Sequence, residues 1–317
     1  AAPASGVYTG PGLVKERPLE GFMPESQFAG PEGALKDAGY GVLHIRSVYD
    51  IDGVDTTPAG IDVMADPLQT PPEDRPARFL RLEKPVAIPD ENVRDFDNSA
   101  FGRSRAQLMR EILGYVPIEP DGSVKVAVPA NVAFAISVLD EQGQRIGARH
   151  RNWLTVRPGE TLECAGCHNP NSPTPHGRPD AGPDPVWGGA ATTGIPFPNT
   201  DTGLFADMGE TMAEVFARIN DIRRPTPDVI YADEWSGDAV DPKPDSFSYA
   251  YGELQTPQPI SGVCASDWAP NCRIVINYEQ HIHPLWSLNR EVLDPNTMEV
   301  VDDYTCTSCH TDTDAAD

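Results

Sequence analysis

Cysteine is scarce in this chain: six residues in 317, too few for a disulfide-dense scaffold. Positive charge is scarce as well. There are 24 Lys and Arg against 48 Asp and Glu, a formal net charge of −24. A surface so short of cations cannot gather phosphates, which excludes nucleic acid as a partner. It suits a partner with a basic face, or plain solubility in a salty medium. No apolar run approaches the roughly 18 residues of a membrane-spanning helix. No set of nucleophile and base stands out either, so nothing marks a hydrolase or transferase.

What is abundant is punctuation. The chain holds 33 Pro and 27 Gly, so turns and irregular segments should be extensive. The fold class this predicts is mostly β with irregular loops and a few short helices. Residues 1–40 read as an extended N-terminal arm, opening on "AAPASG" like a mature or trimmed chain. Residues 41–160 read as a β-rich scaffold. It has strands at "YGVLHIRSVYDIDG" (40–53) and "RFLRLEKPVAI" (78–88), and a helix at "SRAQLMREILG" (104–114). Within it, 115–160 breaks into short strands at "PDG", "PAN", "EQGQ" and "RPGE", the rhythm of a small immunoglobulin-like sandwich.

Residues 161–270 are expected to form a loop-rich segment with one amphipathic helix over 208–224, where Met212, Val215, Phe216 and Ile219 share a face. The long loop 169–206 needs something apolar to order it. In 271–317, "CRIVINY" (272–278) reads as a strand and "EQHIHPLWSLN" as a short helix with Pro284 in its first turn.

Four of the six cysteines fall into two copies of one pattern, "CAGCH" at 164–168 and "CTSCH" at 306–310. Two thiols so spaced can each form a thioether to a haem vinyl group, and the next His then donates to the iron. Cys-x-x-Cys-His is the c-type haem attachment signal. The competing readings are a thioredoxin-like redox pair and a zinc site. A redox pair needs no His after it and prefers a βαβ setting, which is missing. Two Cys pairs could hold zinc, but zinc does not call for a His after each pair. Cys164, Cys167, Cys306 and Cys309 are therefore the expected attachment points of two covalent haem c groups, with His168 and His310 as proximal iron ligands.

Haem c is attached after export, which places the protein in the periplasm or outside the cell. There Cys264 and Cys272 most simply form a disulfide.

The sixth ligands must come from the remaining His or from Met. His281, beside His283 in "HIHP", and His176, in a Pro-rich loop after the first motif, are the leading candidates. Arg178 next to His176 could pair with a propionate. His44 is a further candidate, whereas His150 reads as structural. Trp153, Trp286 and Tyr304 could shield haem faces or simply pack.

Three stretches carry a family resemblance. "VPIEPDGSVKVAVPANVAFAISVLDEQGQRI", running into "RHRNWLTVRPGETLECAGCH", resembles a haem-adjacent module in proteins related to the hydrazine synthase alpha subunit. "INYEQHIHPLW" followed by "CTSCH" is similar to the haem-bearing end of the same group. The resemblance covers roughly residues 110–178 and 272–312. It implies a di-haem exported cytochrome on a β-rich scaffold. It does not imply hydrazine synthesis, because a Tyr four residues after that family's active-site proximal His is replaced here by Ser172.

The function this predicts is electron transfer, with self-assembly into an oligomer or filament as a possible organisation. A di-haem oxidoreductase, peroxidase-like or hydrazine-synthase-like, is the alternative.

Overall fold

The computed structural model describes residues 31–86, 90, 92–93, 109–148, 150, 152–169, 171–172 and 184–309. Six strands build the framework: β1 Tyr40–Ile45, β2 Phe79–Pro85, β3 Arg110–Pro117, β4 Val124–Pro129, β5 Ala135–Leu139 and β6 Thr161–Cys164. They form two three-stranded sheets, ordered β4-β1-β6 and β3-β2-β5. In the first, β1 runs antiparallel to β4 and parallel to β6. In the second, β2 is antiparallel to both neighbours.

Side-chain alternation along each strand sets what the sheets share. Leu43 and Ile45 of β1, Val124, Val126 and Val128 of β4, and Leu80 and Leu82 of β2 meet Leu113, Val116 and Phe134 in one buried cluster. The opposite face of β1 carries Tyr40 and Val42, which pack with Leu35 and Ala127. The strand is therefore buried along its whole length. The described chain is mostly β with irregular loops and a few short helices, as the sequence predicts, but the small immunoglobulin-like sandwich expected at 115–160 is replaced by these two three-stranded sheets. Their strands are drawn from residues 40–164, not from 115–160 alone, and the β1–β6 pair is parallel.

Three other expectations are corrected. The segment read as a helix at 104–114 is, from Arg110, the strand β3. Ile112 and Val116 find partners across β2, Leu113 falls at the register shift, and Gly114 takes φ +146° where Pro225 and Thr226 press against it. Residues 104–108 lie outside the described residues. The strand expected at 272–278 shrinks to one bridge between Ile274 and Ile112. Of the extended arm expected over 1–40, residues 1–30 lie outside the described residues, whereas Pro31–Asp37 is a helix and Leu35 is buried.

The helix Met212–Asn220 lies where its amphipathic spacing predicts. Its first turn is tied to the "PDG" turn after β3. The Asp121 carboxylate accepts from Met212 N (2.9 Å), Trp187 Nε1 (2.8 Å), Ser123 N (2.9 Å) and the Ser123 hydroxyl, while Ser123 Oγ accepts from Ala213 N. Burial pushes the Asp121 carboxyl up to about 6, against the pull of those hydrogen bonds. Met212, Val215 and Phe216 then join Phe197, Leu204 and Trp235 in a second core. The described part of the 169–206 loop thus packs against protein side chains.

His44 points to this same helix. Its Nε2 lies 3.2 Å from the N-cap hydroxyl of Thr211 and 3.8 Å from the Glu214 carboxylate. Burial lowers its pKa to about 4 despite Glu214. A His depressed in the folded state costs stability as pH falls from its unfolded value near 6.5 through about 4, on the order of 3 kcal/mol in full. Asp121, raised in the folded state, acts in the opposite sense as pH rises from about 4 through about 6. The comparison of His44→Gln with the unaltered chain isolates the first effect. Urea unfolding should show the variant losing distinctly less stability between pH 7 and pH 4.5. Equal losses would rule out a buried neutral His44.

Candidate haem-attachment site

β6 delivers the first motif. Register places Cys164 beside Ile45 of β1, on the face that packs into the main core. The Cys164 carbonyl accepts from Arg46 N at 2.9 Å. After a turn at Ala165 and Gly166, Cys167 is held between two backbone hydrogen bonds, donating to Asp50 O (2.7 Å) and accepting from Asp52 N (3.0 Å). Asn169 donates to the Asp52 carboxylate from its backbone (3.1 Å) and its amide (2.7 Å), and Ser172 also hydrogen-bonds Asp52. The motif is thus held by Arg46 at its start and stapled to the 50–52 turn at its end. Neither Asp50 nor Asp52 announces that role in the sequence.

Both thiols are unpaired and partly buried. Burial pushes Cys164 up to about 11 and Cys167 up to about 12. Neutral thiols of this kind are poor redox nucleophiles, and a zinc site would have to deprotonate them. Thioether formation needs no thiolate to persist: S–H adds across a vinyl double bond. His168 is exposed, with Nδ1 3.3 Å from Asn169 O.

Among the described residues no three His, Cys, Asp or Glu side chains gather as a metal cluster would. A porphyrin brings four nitrogens of its own, so an iron in it requires only one or two protein ligands. Unpaired thiols at the right spacing beside an exposed imidazole fit that donor set.

The second motif begins on a short helix, Cys306–Cys309. It follows a two-stranded hairpin, Glu291–Leu293 with Val300–Asp303, exposed throughout. Arg290 reaches Cys306 Sγ at 3.4 Å, and its backbone N–H donates to Thr305 Oγ1 at 2.8 Å. The Cys309 side chain and His310 lie outside the described residues, as do His176 and Arg178.

His281 sits on a π-helical turn, Tyr278–Ile282, followed by a 3₁₀ turn, His283–Ser287, with Pro284 in its first positions. It is buried, and its Nδ1 accepts from Asn277 N at 2.7 Å. The neutral ring therefore carries its proton on Nε2, and ligation through Nε2 requires that hydrogen bond to be given up. A cavity of about 470 Å³ opens beside it, lined in part by Arg273, Gln280 and Cys264. Cys264 and Cys272 stand at disulfide distance, with Cα atoms 5.7 Å apart. His283 packs on the Tyr278 ring instead. Trp286 and Tyr304 are exposed, whereas Trp153 lies under the Arg110 guanidinium at 4.6 Å.

His150, read from the sequence as structural, comes to within 6.3 Å of His168, ring centre to ring centre, with the planes at 81°. Burial lowers its pKa. Eighteen residues of sequence separate the two rings, and no spacing rule signals the approach.

Residues 83–169 match the family profile of the hydrazine synthase alpha subunit middle domain. The match ends one residue past His168 and includes none of the 272–312 stretch. A solved structure titled Kuenenia stuttgartiensis hydrazine synthase is similar at 20% identity and a TM-score of 0.28, covering 39% of this chain and 16% of that one. The chain therefore spans less than a fifth of that protein. No curated protein matches. Residues 83–169, with their strands and the first cysteine motif, are thus similar to the hydrazine synthase alpha subunit middle domain.

Proposed function

We propose that this chain is an exported di-haem c-type cytochrome that transfers electrons. Cys164, Cys167 and His168 would hold one haem, and Cys306, Cys309 and His310 the other. The observation that carries the reading is the first motif itself. Two neutral, unpaired thiols and an exposed imidazole are fixed on a turn stapled to the core at Asp50 and Asp52. A relay needs such a rigid mount, since reorganisation at the iron slows transfer. The periplasm or cell exterior is the compartment where such attachment is completed, and where a Cys264–Cys272 bond persists.

The family relation supports a haem protein without supplying an activity. Ser172 stands where the related active site has a Tyr, and here it is engaged with Asp52. The net charge of −24 suits a redox partner with a basic face. Among the described residues no helix is long and apolar enough to cross a membrane. Assembly into an oligomer or filament is part of the proposal. The exposed hairpin before Cys306, with Val292, Val300 and Val301 open to solvent, leaves the second haem in need of further cover.

The test is kinetic. Electron transfer from the reduced protein to a cationic acceptor should be fast and should slow steeply as salt is raised. The ferric protein should show no component that binds peroxide or azide. A peroxide-reactive high-spin haem with turnover would replace this reading with that of a di-haem oxidoreductase.

A further inference from the structure

We propose that His150 supplies the second axial nitrogen to the iron bound by His168. The proposal rests on the haem reading of the first motif. Imidazole nitrogen binds a first-row metal at about 2 Å, so two rings on opposite sides of one metal stand roughly 6 Å apart, centre to centre. The His150 and His168 rings are 6.3 Å apart.

An edge-to-face aromatic contact is the competing account of that distance. It leaves one fact unexplained. His150 Nδ1 is buried and makes no well-formed hydrogen bond, although the ring lies close to the Asn152 backbone. A buried polar atom left unpaired costs about 1–3 kcal/mol, and a protein retains such an atom where a ligand completes it.

The two rings are also mounted independently, as the ligands of a rigid site must be. The His150 carbonyl accepts from Arg110 Nη2 (3.4 Å), and Arg110 is paired with Glu83 (3.2 Å) at the start of β3. The Arg110 guanidinium lies over Trp153. His168 is carried instead by the Cys167–Asp50 and Asn169–Asp52 contacts. Two separately anchored segments thus bring the two imidazoles together. Neither His44, committed to Thr211, nor His281, at the other end of the chain, competes for that position.

The experiment uses the exported holoprotein. Peptide mass first establishes whether haem is attached at Cys164 and Cys167; its absence in the unaltered protein would overturn the haem reading and this proposal together. With haem attached, His150→Ala should convert half of the protein's haem from low-spin to high-spin in the ferric optical and electron paramagnetic resonance spectra. Free imidazole should restore the low-spin signal. His150→Met, which keeps a ligand in place should the alanine variant fail to fold, should stay low-spin and show a sulfur-to-iron charge-transfer band. A fully haem-loaded His150→Ala protein, or His150→Met protein, with an unchanged spectrum overturns the proposal and leaves the haem reading intact. So does loss of the low-spin signal in His176→Ala in place of His150→Ala.

Discussion

Exported protein carrying both Cys164→Ala and Cys167→Ala is expected to hold one covalent haem where the unaltered chain holds two. The pair Cys306→Ala and Cys309→Ala should give the mirror result. Mass spectrometry of the denatured protein reads this directly, because a thioether survives denaturation and a coordinate bond does not. In the unaltered native protein no cysteine should react with a thiol reagent, four being in thioethers and Cys264 and Cys272 in a disulfide. Closing so short a loop contributes about 2–3 kcal/mol by chain-entropy arguments. The effect on the cofactor is all-or-none because Cys164 and Cys167 are the only cysteines near His168 among the described residues. Cys264 and Cys272 stand at disulfide distance from one another. A colourless protein that binds zinc through these cysteines would end the cytochrome reading.

Gly166→Ala should damage the first site without touching its ligands. A Cβ at residue 166 would lie 2.7 Å from Asp50 Cβ and 2.9 Å from Asp50 Cγ, and closer still to the Asp50 carbonyl oxygen. That carbonyl is the acceptor for Cys167 N, so it cannot retreat without releasing the motif. Overpacking of this kind costs about 1–3 kcal/mol. The urea midpoint should fall accordingly, and haem occupancy should drop at Cys164 and Cys167 while the second site stays filled. Unchanged stability with full occupancy would mean that the motif is not seated on the 50–52 turn.

Local rules made some of this legible and left the rest hidden. The proposed thioether and proximal-ligand residues belong to contiguous five-residue patterns, so the proposal could be made without a fold. The Met212–Asn220 helix was legible because its apolar spacing and its cap, Thr211 with Glu214, are both local. The segment from Arg110 was not. Its apolar residues satisfy helical spacing as well as strand alternation, and pairing with β2 decided between them. The "CRIVINY" run failed for the converse reason: β-prone residues form no strand without a neighbour, and Ile274 meets one residue of β3.

By itself, the sequence determined the acidic character, the β-rich composition and the two Cys-x-x-Cys-His patterns on which the haem proposal rests. All of these depend on residue identity and short spacing. Only the tertiary structure decided which distant residues serve the first site. Asp50 and Asp52 reach it because β1 and β6 are parallel neighbours, joined across more than a hundred residues. His150 reaches it because Arg110 pins its loop to the other sheet. Such approaches are set by strand pairing and core packing, whose energy lies in contacts between remote segments, and no local pattern encodes them.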